Sequence, residues 1–232
     1  MADVVVYGFP VSSYVNIIRL ILTHKNVAFQ FHDLEPEMGS AGHRALHPFE
    51  RVPILDHDGF RVYETTAIAL YVDEVFADPS LQPAEPRLRA RMNQWISSVN
   101  SYYYPYLTYH LVHERLIYPA LGIPADEKVV AHALPRIALA LDVLERELEH
   151  GGDYLVGDQL TLADFFLLPS MTGLGLTPEG QAMLGSKPRI ADWRARMEAL
   201  PSAMQVRAAV APYFGKPVEH ARRWVDTHRP HY

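Results

Sequence analysis

Two hydrophobic patterns divide the chain. Up to about residue 78 they alternate in period. Asp3 to Tyr7 is a short β-branched run that reads as a buried strand. Gly8-Phe9-Pro10 ends it, and from Ser12 onward Val15, Ile18 and Leu22 recur at helical spacing, with Ile17 and Ile21 beside them. Ser12 or Ser13 is the expected N-cap. Asn26 closes the helix, and Val27 to His32 reads as a second strand. Residues 35–50 are weakly periodic and predict a loop holding a short helix. Val52 to Leu55 predicts a strand, His57-Asp58-Gly59 a hairpin turn, and Phe60 to Val62 the returning strand. Thr65 or Thr66 then caps a helix with Ile68, Tyr71 or Val72, and Val75 on its apolar face.

Asp78 to Pro86 carries three prolines in nine residues. Each fixes φ and removes a donor, so the segment predicts a linker, placed at 79–86. Beyond it only helical periods remain. Leu88, Met92, Trp95, Ile96, Val99 and Tyr103 mark a long helix disturbed at Pro105. Residues 126–149 predict another, which Pro135 should bend or divide. Thr161 and Asp164 have the spacing of a capping box, and Leu160 with Phe165 that of a hydrophobic staple. A further helix carries Ile190, Trp193 and Met197; the tail from Pro212 has no clear period. The expected organisation is an α/β domain over 1–78 and an all-α domain over 87–232.

Charge and composition narrow the function. Lys plus Arg is 21 and Asp plus Glu is 27, a net charge of −6, and no long basic run is present, so nucleic acid is not an expected partner. No apolar run reaches the roughly 18 residues of a membrane span, and the N-terminus lacks a secretory pattern, which makes a cytoplasmic protein the expectation. There is no cysteine. Disulfides, Cys-ligated zinc and a cysteine nucleophile are therefore excluded, and any sulfur chemistry must use a ligand's thiol. His110 and His113 stand beside Glu114, but no third ligand falls at a metal-site spacing, so no metal is expected. His220, His228 and His231 are unpatterned.

Three places can carry chemistry. Ser12 and Ser13 open a helix after a strand, where outward-facing amides and the helix dipole favour an anion and a hydroxyl can donate to a thiolate; a plain N-cap is the alternative. Val52-Pro53 begins a strand. A cis bond there would turn the Val52 amide groups outward for an extended peptide to pair with, whereas a trans proline would be an ordinary strand start. Glu64 and Thr65 open another helix and suit a zwitterionic amino-acid head, the carboxylate taking the ammonium; capping is again the alternative. Together they outline a cleft for a short, extended, anionic peptide.

Four segments resemble the glutathione transferase family. They are Tyr7-Gly8-Phe9-Pro10-Val11-Ser12-Ser13-Tyr14 with Arg19; His47-Pro48-Phe49-Glu50-Arg51-Val52-Pro53-Ile54-Leu55; Glu64-Thr65-Thr66-Ala67-Ile68; and Leu155-Val156-Gly157-Asp158 through Thr161-Leu162-Ala163-Asp164. The resemblance spans nearly the whole chain and is strongest to phi-like and other serine-type classes. It implies a thioredoxin-like N-terminal domain (βαβαββα), a helical C-terminal domain, a homodimer, and glutathione as cosubstrate for conjugation to a hydrophobic electrophile. Peroxide reduction, isomerisation and dehalogenation are related activities, and a non-catalytic interaction module on the same fold is the alternative. By that matching Ser12 activates the thiol, with Ser13 second and Tyr7 third. Val52 and Pro53 hold the cysteinyl backbone, Glu64 and Thr65 the γ-glutamyl group, and Arg51 and His43 the glycyl carboxylate. His47 and Glu50 depart from the family pattern, which has Asn and Gly there. The electrophile is expected between the domains, near Phe9, Val11, Tyr103 and Tyr106. Five tyrosines between Tyr102 and Tyr109 cannot all face the core, and packing at an interface is their other reading.

Overall fold

A computed structural model describes residues 3–76, 78–223, 225 and 229. His228 and His231 lie outside them. The chain forms two compact units, Met1–Gln82 with Ala199–Phe214, and Pro83–Glu198 with Gly215–Tyr232. Residues 199–214, expected with the helical domain, thus belong to the first unit.

In that unit the order is β1 (Val4–Gly8), α1 (Ser13–His24), β2 (Gln30–Asp33), a 3-10 turn (Glu35–Glu37), α2 (Ala41–Leu46), β3 (Ile54–His57), β4 (Phe60–Tyr63) and α3 (Thr65–Val75). The four strands run β2-β1-β3-β4, with β2 parallel to β1 and the other pairs antiparallel. The β3–β4 hairpin turns through Asp58 and Gly59, both at positive φ (50° and 83°), the geometry of a two-residue turn matched to strand twist.

Some boundaries moved, for local reasons. Strand β2 starts three residues later than its apolar run because the chain is still closing α1: Asn26 is left-handed (φ 54°) and the Val27 N–H donates to Leu22 O. Strand β3 starts at Ile54, after Pro53, which has no N–H for a ladder. The cap of α3 is Glu64, not a threonine, and its side chain makes no capping bond.

On β1 the buried positions are Val4, Val6 and Gly8. A β-carbon on Gly8 would lie 2.3 Å from Val15 Cγ2, so the missing side chain is what lets the first turn of α1 settle on the strand end. Helix α3 packs beside α1, as does α10 (Pro201–Val210), which follows the helical region in sequence.

Lys25 and Asp73 form a buried pair at 2.8 Å under these helices. The ammonium also donates to Pro79 O (2.6 Å), and the same Asp73 oxygen accepts the Leu81 N–H (2.9 Å). Desolvation offsets most of the attraction in such a pair, so its main effect is to fix where the chain leaves the sheet domain.

Among the described residues the second unit is mainly helical, with two isolated β-bridges, Tyr154 to Gly157 and Val156 to Gln159. Helix α4 (Pro86–Ser98) runs on as a π-helical stretch, Val99–Ile117, into the single turn α5 (Tyr118–Ala120). Pro105 lies inside that stretch, where it withholds an N–H and crowds the preceding turn. Helix α6 (Glu127–Gly151) is undivided at Pro135. Helices α7 (Leu162–Leu174), α8 (Pro178–Leu184) and α9 (Pro188–Glu198) follow. The buried Glu114 carboxylate accepts from Asp126 N–H and from the Arg229 guanidinium, so this part of the aperiodic tail has a defined anchor.

The capping box is more than a local cap. Asp164 is fully buried and accepts from Thr161 N–H (3.0 Å), the Thr161 hydroxyl (3.1 Å), Leu155 N–H (3.0 Å) and the Trp193 indole N–H (2.9 Å). Burial pushes its carboxyl up from the ordinary carboxylate value, and these donors pull it back. It joins the 155–161 loop, α7 and α9. Asp164→Ala strands several buried donors and should cost about 3 kcal/mol or more, whereas Trp193→Phe, which removes one bond to the carboxylate, should cost about 1.5–3 kcal/mol. Urea unfolding measures both; an Asp164→Ala loss below 1 kcal/mol would show that water replaces these bonds.

Candidate active site

The sheet register brings the three sequence features to one edge. Tyr7 of β1 pairs with Ile54 of β3, and Ile54 with Tyr63 of β4, forming one row across the sheet. Just past that row lie the turn from Gly8 to Ser12, the Val52-Pro53 segment entering β3, and Glu64-Thr65 leaving β4.

Ser12 is the N-cap of α1, in extended conformation (φ −65°, ψ 124°). Its N–H donates to Phe9 O (3.1 Å), and its hydroxyl oxygen accepts a long bond from Val15 N–H (3.4 Å). That bond uses a lone pair and leaves the hydroxyl proton for donation. The first turn of α1 contains no acidic residue, so nothing there competes with an incoming anion for the positive end of the helix. Ser13 is the first helical residue and half-buried. Tyr7 alternates away from the buried Val6 and Gly8, with its ring 5.2 Å from that of His32 on β2, so it leaves the sheet on the face opposite α1.

The loop before Ser12 is clamped from within α1. Asn16 Nδ2 donates to Pro10 O (3.0 Å), and Asn16 Oδ1 accepts from Arg19 Nη1 (3.2 Å). Arg19 is buried with its guanidinium 4.7 Å over the Phe31 ring. Burial lowers its pKa from the ordinary value, and Tyr213 acts in the opposite sense. Asn16 was not among the residues expected at the site; the signal for it is a polar residue one turn after the cap, on the side away from Val15 and Ile18.

The Val52-Pro53 bond is cis. Val52 lies beyond the last paired position of β3 and is half-buried. Glu64 is exposed at φ 73°, and its carbonyl accepts the Ile68 N–H (2.9 Å). The Thr65 side chain is buried beside it.

His43 is not available to a glycyl carboxylate. It is wholly buried, Nδ1 accepts the Gly39 N–H (3.1 Å), and Nε2 bonds Arg51 O (3.1 Å). With Nδ1 accepting, the neutral ring carries its proton on Nε2 and donates to the carbonyl. Arg51 remains half-buried on the loop. Glu50 is left-handed (φ 53°), which accounts for glycine being usual there, and its carboxylate is paired with Arg44 (3.0 Å) rather than left to repel an anion.

Among the residues expected at the electrophile, Tyr103 is a core residue: it is buried, its hydroxyl donates to Ala140 O (2.8 Å), and burial raises its pKa. Phe9 is buried and Val11 half-buried. Tyr106 is half-buried, with the Arg136 guanidinium 5.4 Å over its ring.

Known proteins agree with this architecture. A model of the glutathione S-transferase N-terminal domain matches residues 6–80, and one of the C-terminal domain matches 103–201. Glutathione S-transferase F10 of Arabidopsis thaliana is 31% identical over 169 residues, 70% of this chain and 77% of that one. The crystal structure of glutathione transferase F2 from Populus trichocarpa superposes with a TM-score of 0.84 at 25% identity, covering 90% of this chain and all of the other. Glutathione S-transferase I from mais, in complex with an atrazine glutathione conjugate, superposes at 0.81 with 26% identity, covering 90% and 99%. The first unit is thus a thioredoxin-like domain and the second the helical domain that accompanies it. The chain belongs to the glutathione S-transferase family, enzymes whose cosubstrate is glutathione.

The clamp on the Ser12 loop is testable. Asn16→Ala removes the side chain that bridges Pro10 O and Arg19, and should cost about 1.5–3 kcal/mol because one of the two bonds is to a charged group. Equilibrium urea unfolding reads this directly; an unaltered midpoint would mean that solvent serves Arg19 equally well.

Proposed function

We propose that Ser12 holds the thiol of bound glutathione as its thiolate, which attacks a hydrophobic electrophile. The observation that carries this is the Ser12 hydroxyl: it caps α1 through its oxygen, keeps its proton for donation, and stands at a helix N-terminus without acidic residues. The glutathione conjugate held by the mais enzyme supports an electrophile of hydrophobic character. In the step itself the sulfur lone pair forms the C–S bond. The leaving group departs with its bonding pair, and the thiol proton has already passed to solvent.

Magnitudes are consistent. A free thiol titrates near 8.5, so lowering it by about two units requires ~2.7 kcal/mol of preferential thiolate stabilisation. A helix N-terminus supplies roughly 0.3–1 kcal/mol, up to ~2 in a partly buried site. A hydroxyl donating to an anion supplies about 1.5–3 kcal/mol. Both contributions together reach the requirement. Val52 would pair its backbone with the cysteinyl residue, Glu64 and Thr65 would take the γ-glutamyl group, and Arg51 would take the glycyl carboxylate.

A second copy of the chain is the proposed partner. Phe49 supports this: at the tip of the 47–51 loop it is 67% exposed, with its edge toward Tyr63, and burial by another subunit would remove a large apolar ring from water.

Ser12→Ala should raise the apparent pKa of the bound thiol, followed by ultraviolet thiolate absorbance, by about one to two units. It should lower kcat/KM for an aryl halide at pH 7 by up to about threefold, the lost thiolate fraction outweighing the gain in thiolate nucleophilicity, while changing the Kd of S-methylglutathione far less. Intact turnover would move the role to Ser13. Phe49→Ser should shift sedimentation velocity from dimer toward monomer, and an unchanged sedimentation coefficient would remove Phe49 from the interface.

A further inference from the structure

The turn that delivers Arg51 and Val52 to the site is built on a histidine ring nitrogen. His47 is the C-cap of α2 and its side chain is 1% exposed. Its N–H donates to His43 O (2.9 Å), its carbonyl accepts the Glu50 N–H (3.0 Å), and its Nδ1 accepts the Phe49 N–H (3.2 Å). This is the arrangement an Asn side chain makes when it accepts the amide two residues on. The imidazole also packs, tilted, against Tyr63, the last residue of β4, with ring centroids 4.4 Å apart. One side chain therefore ties the end of α2, the 48–51 loop and the end of β4. Glu50, in its left-handed conformation, and Arg51 follow directly.

We propose that His47 is the positioning residue of the glutathione-binding loop and makes that binding proton-linked: only the ring with Nδ1 unprotonated can hold the Phe49 amide, so protonation releases the turn that places Arg51 and Val52. This deepens the glutathione reading above and rests on it. An amide N–H cannot donate to a nitrogen that already carries a proton, so the link follows from the bond itself.

The groups around the ring favour the neutral form. His43 faces it from α2 and Arg51 from the loop; Tyr63 contributes an uncharged phenol from β4; and the carboxylate of Glu50, three residues on, is engaged by Arg44. Burial first, then His43 and Arg51, lower the pKa of His47 from its ordinary value. The sign is fixed by that direction. The unfolded chain takes up the proton first as pH falls below about 6.5, so the stability contributed by neutral His47 is complete above that pH and is lost as pH falls toward the depressed folded value.

S-methylglutathione is the probe, because it has no thiol to titrate. Calorimetry from pH 7.5 to pH 5.0 should show wild-type affinity falling by about fivefold more than that of His47→Asn, whose amide oxygen accepts the same N–H and does not titrate. His47→Ala should bind weakly at both ends of the range. In the same samples without ligand, the Phe49 amide resonance should move with the His47 ring titration in the wild type. Parallel affinity profiles for wild type and His47→Asn, or a Phe49 amide that ignores the ring titration, would overturn the proposal. Absence of S-methylglutathione binding by the wild type at pH 7.5, with the amide still following the ring, would instead overturn the glutathione reading.

Discussion

Everything at the site depends on how closely α1 approaches the end of β1. Val15 occupies the space where Gly8 would carry a β-carbon. That contact seats the first turn of the helix against the strand terminus, and the unpaired amides of that turn then face past the sheet edge. A side chain at residue 8 would push Val15 away, and Ser12 with it. The rest of the arrangement maintains the approach. Asn16 reaches back to Pro10 O, and Arg19 holds Asn16 from the next turn of the helix. A nucleophile supplied by a ligand needs a rigid receptor, since the protein has no covalent hold on the reacting atom.

Backbone strain gathers at the same edge. Glu50 and Glu64 are both left-handed, a conformation costing a residue with a β-carbon roughly 1–2 kcal/mol. Each flanks a segment assigned to the ligand, Arg51-Val52 in one case and Thr65 with the α3 amides in the other. Strain of this kind persists only where the surroundings over-determine it. At Glu50 the Arg44 pair and the His47 turn do so; at Glu64 it is the first hydrogen bond of α3. A charged residue where glycine would be easier becomes intelligible once its carboxylate is seen to be neutralised.

Much of this was legible because local chemistry determined it. Ser12 at a strand-to-helix junction, Asn26 after the last apolar turn, and Asp58-Gly59 between two short strands each need a particular backbone that few residues adopt. The Ser12, Val52 and Glu64 segments outlined one cleft from their own residue types, the family resemblance agrees, and strand register brings them to one edge. What could not be read was set by partners distant in sequence. His43 and Tyr103 carry groups suited to ligand binding, and nothing in the neighbouring residues indicates that Arg51 O and Ala140 O engage them. The link from Asp164 to Trp193 spans 29 positions, and the Lys25–Asp73 pair spans 48, so periodicity is blind to both. The π-helical stretch was anticipated only as a disturbance at Pro105, because proline indicates where a helix cannot be regular but not what replaces it.

The modesty of the donors at Ser12 is itself informative. A lysine at that position would stabilise a thiolate more strongly than a hydroxyl and a helix end. Yet the nucleophilicity of a thiolate falls as its pKa falls, with a Brønsted slope of about 0.4–0.5. Moving a thiol from ~8.5 to ~6.5 raises the thiolate fraction at pH 7 about 25-fold and lowers intrinsic reactivity about 8-fold, a net gain of roughly threefold. A further two units adds almost no thiolate and lowers reactivity about 8-fold again, so the gain becomes a loss. The optimum is a pKa near the working pH, and the two neutral, fixed contributors proposed, roughly 0.3–2 kcal/mol from the helix end and about 1.5–3 kcal/mol from the hydroxyl, would reach about that point without passing far beyond it. The reading proposed for Ser12 therefore needs no formal positive charge at the thiol, and it leaves Glu64 and Arg51 to recognise the two charged ends of the peptide.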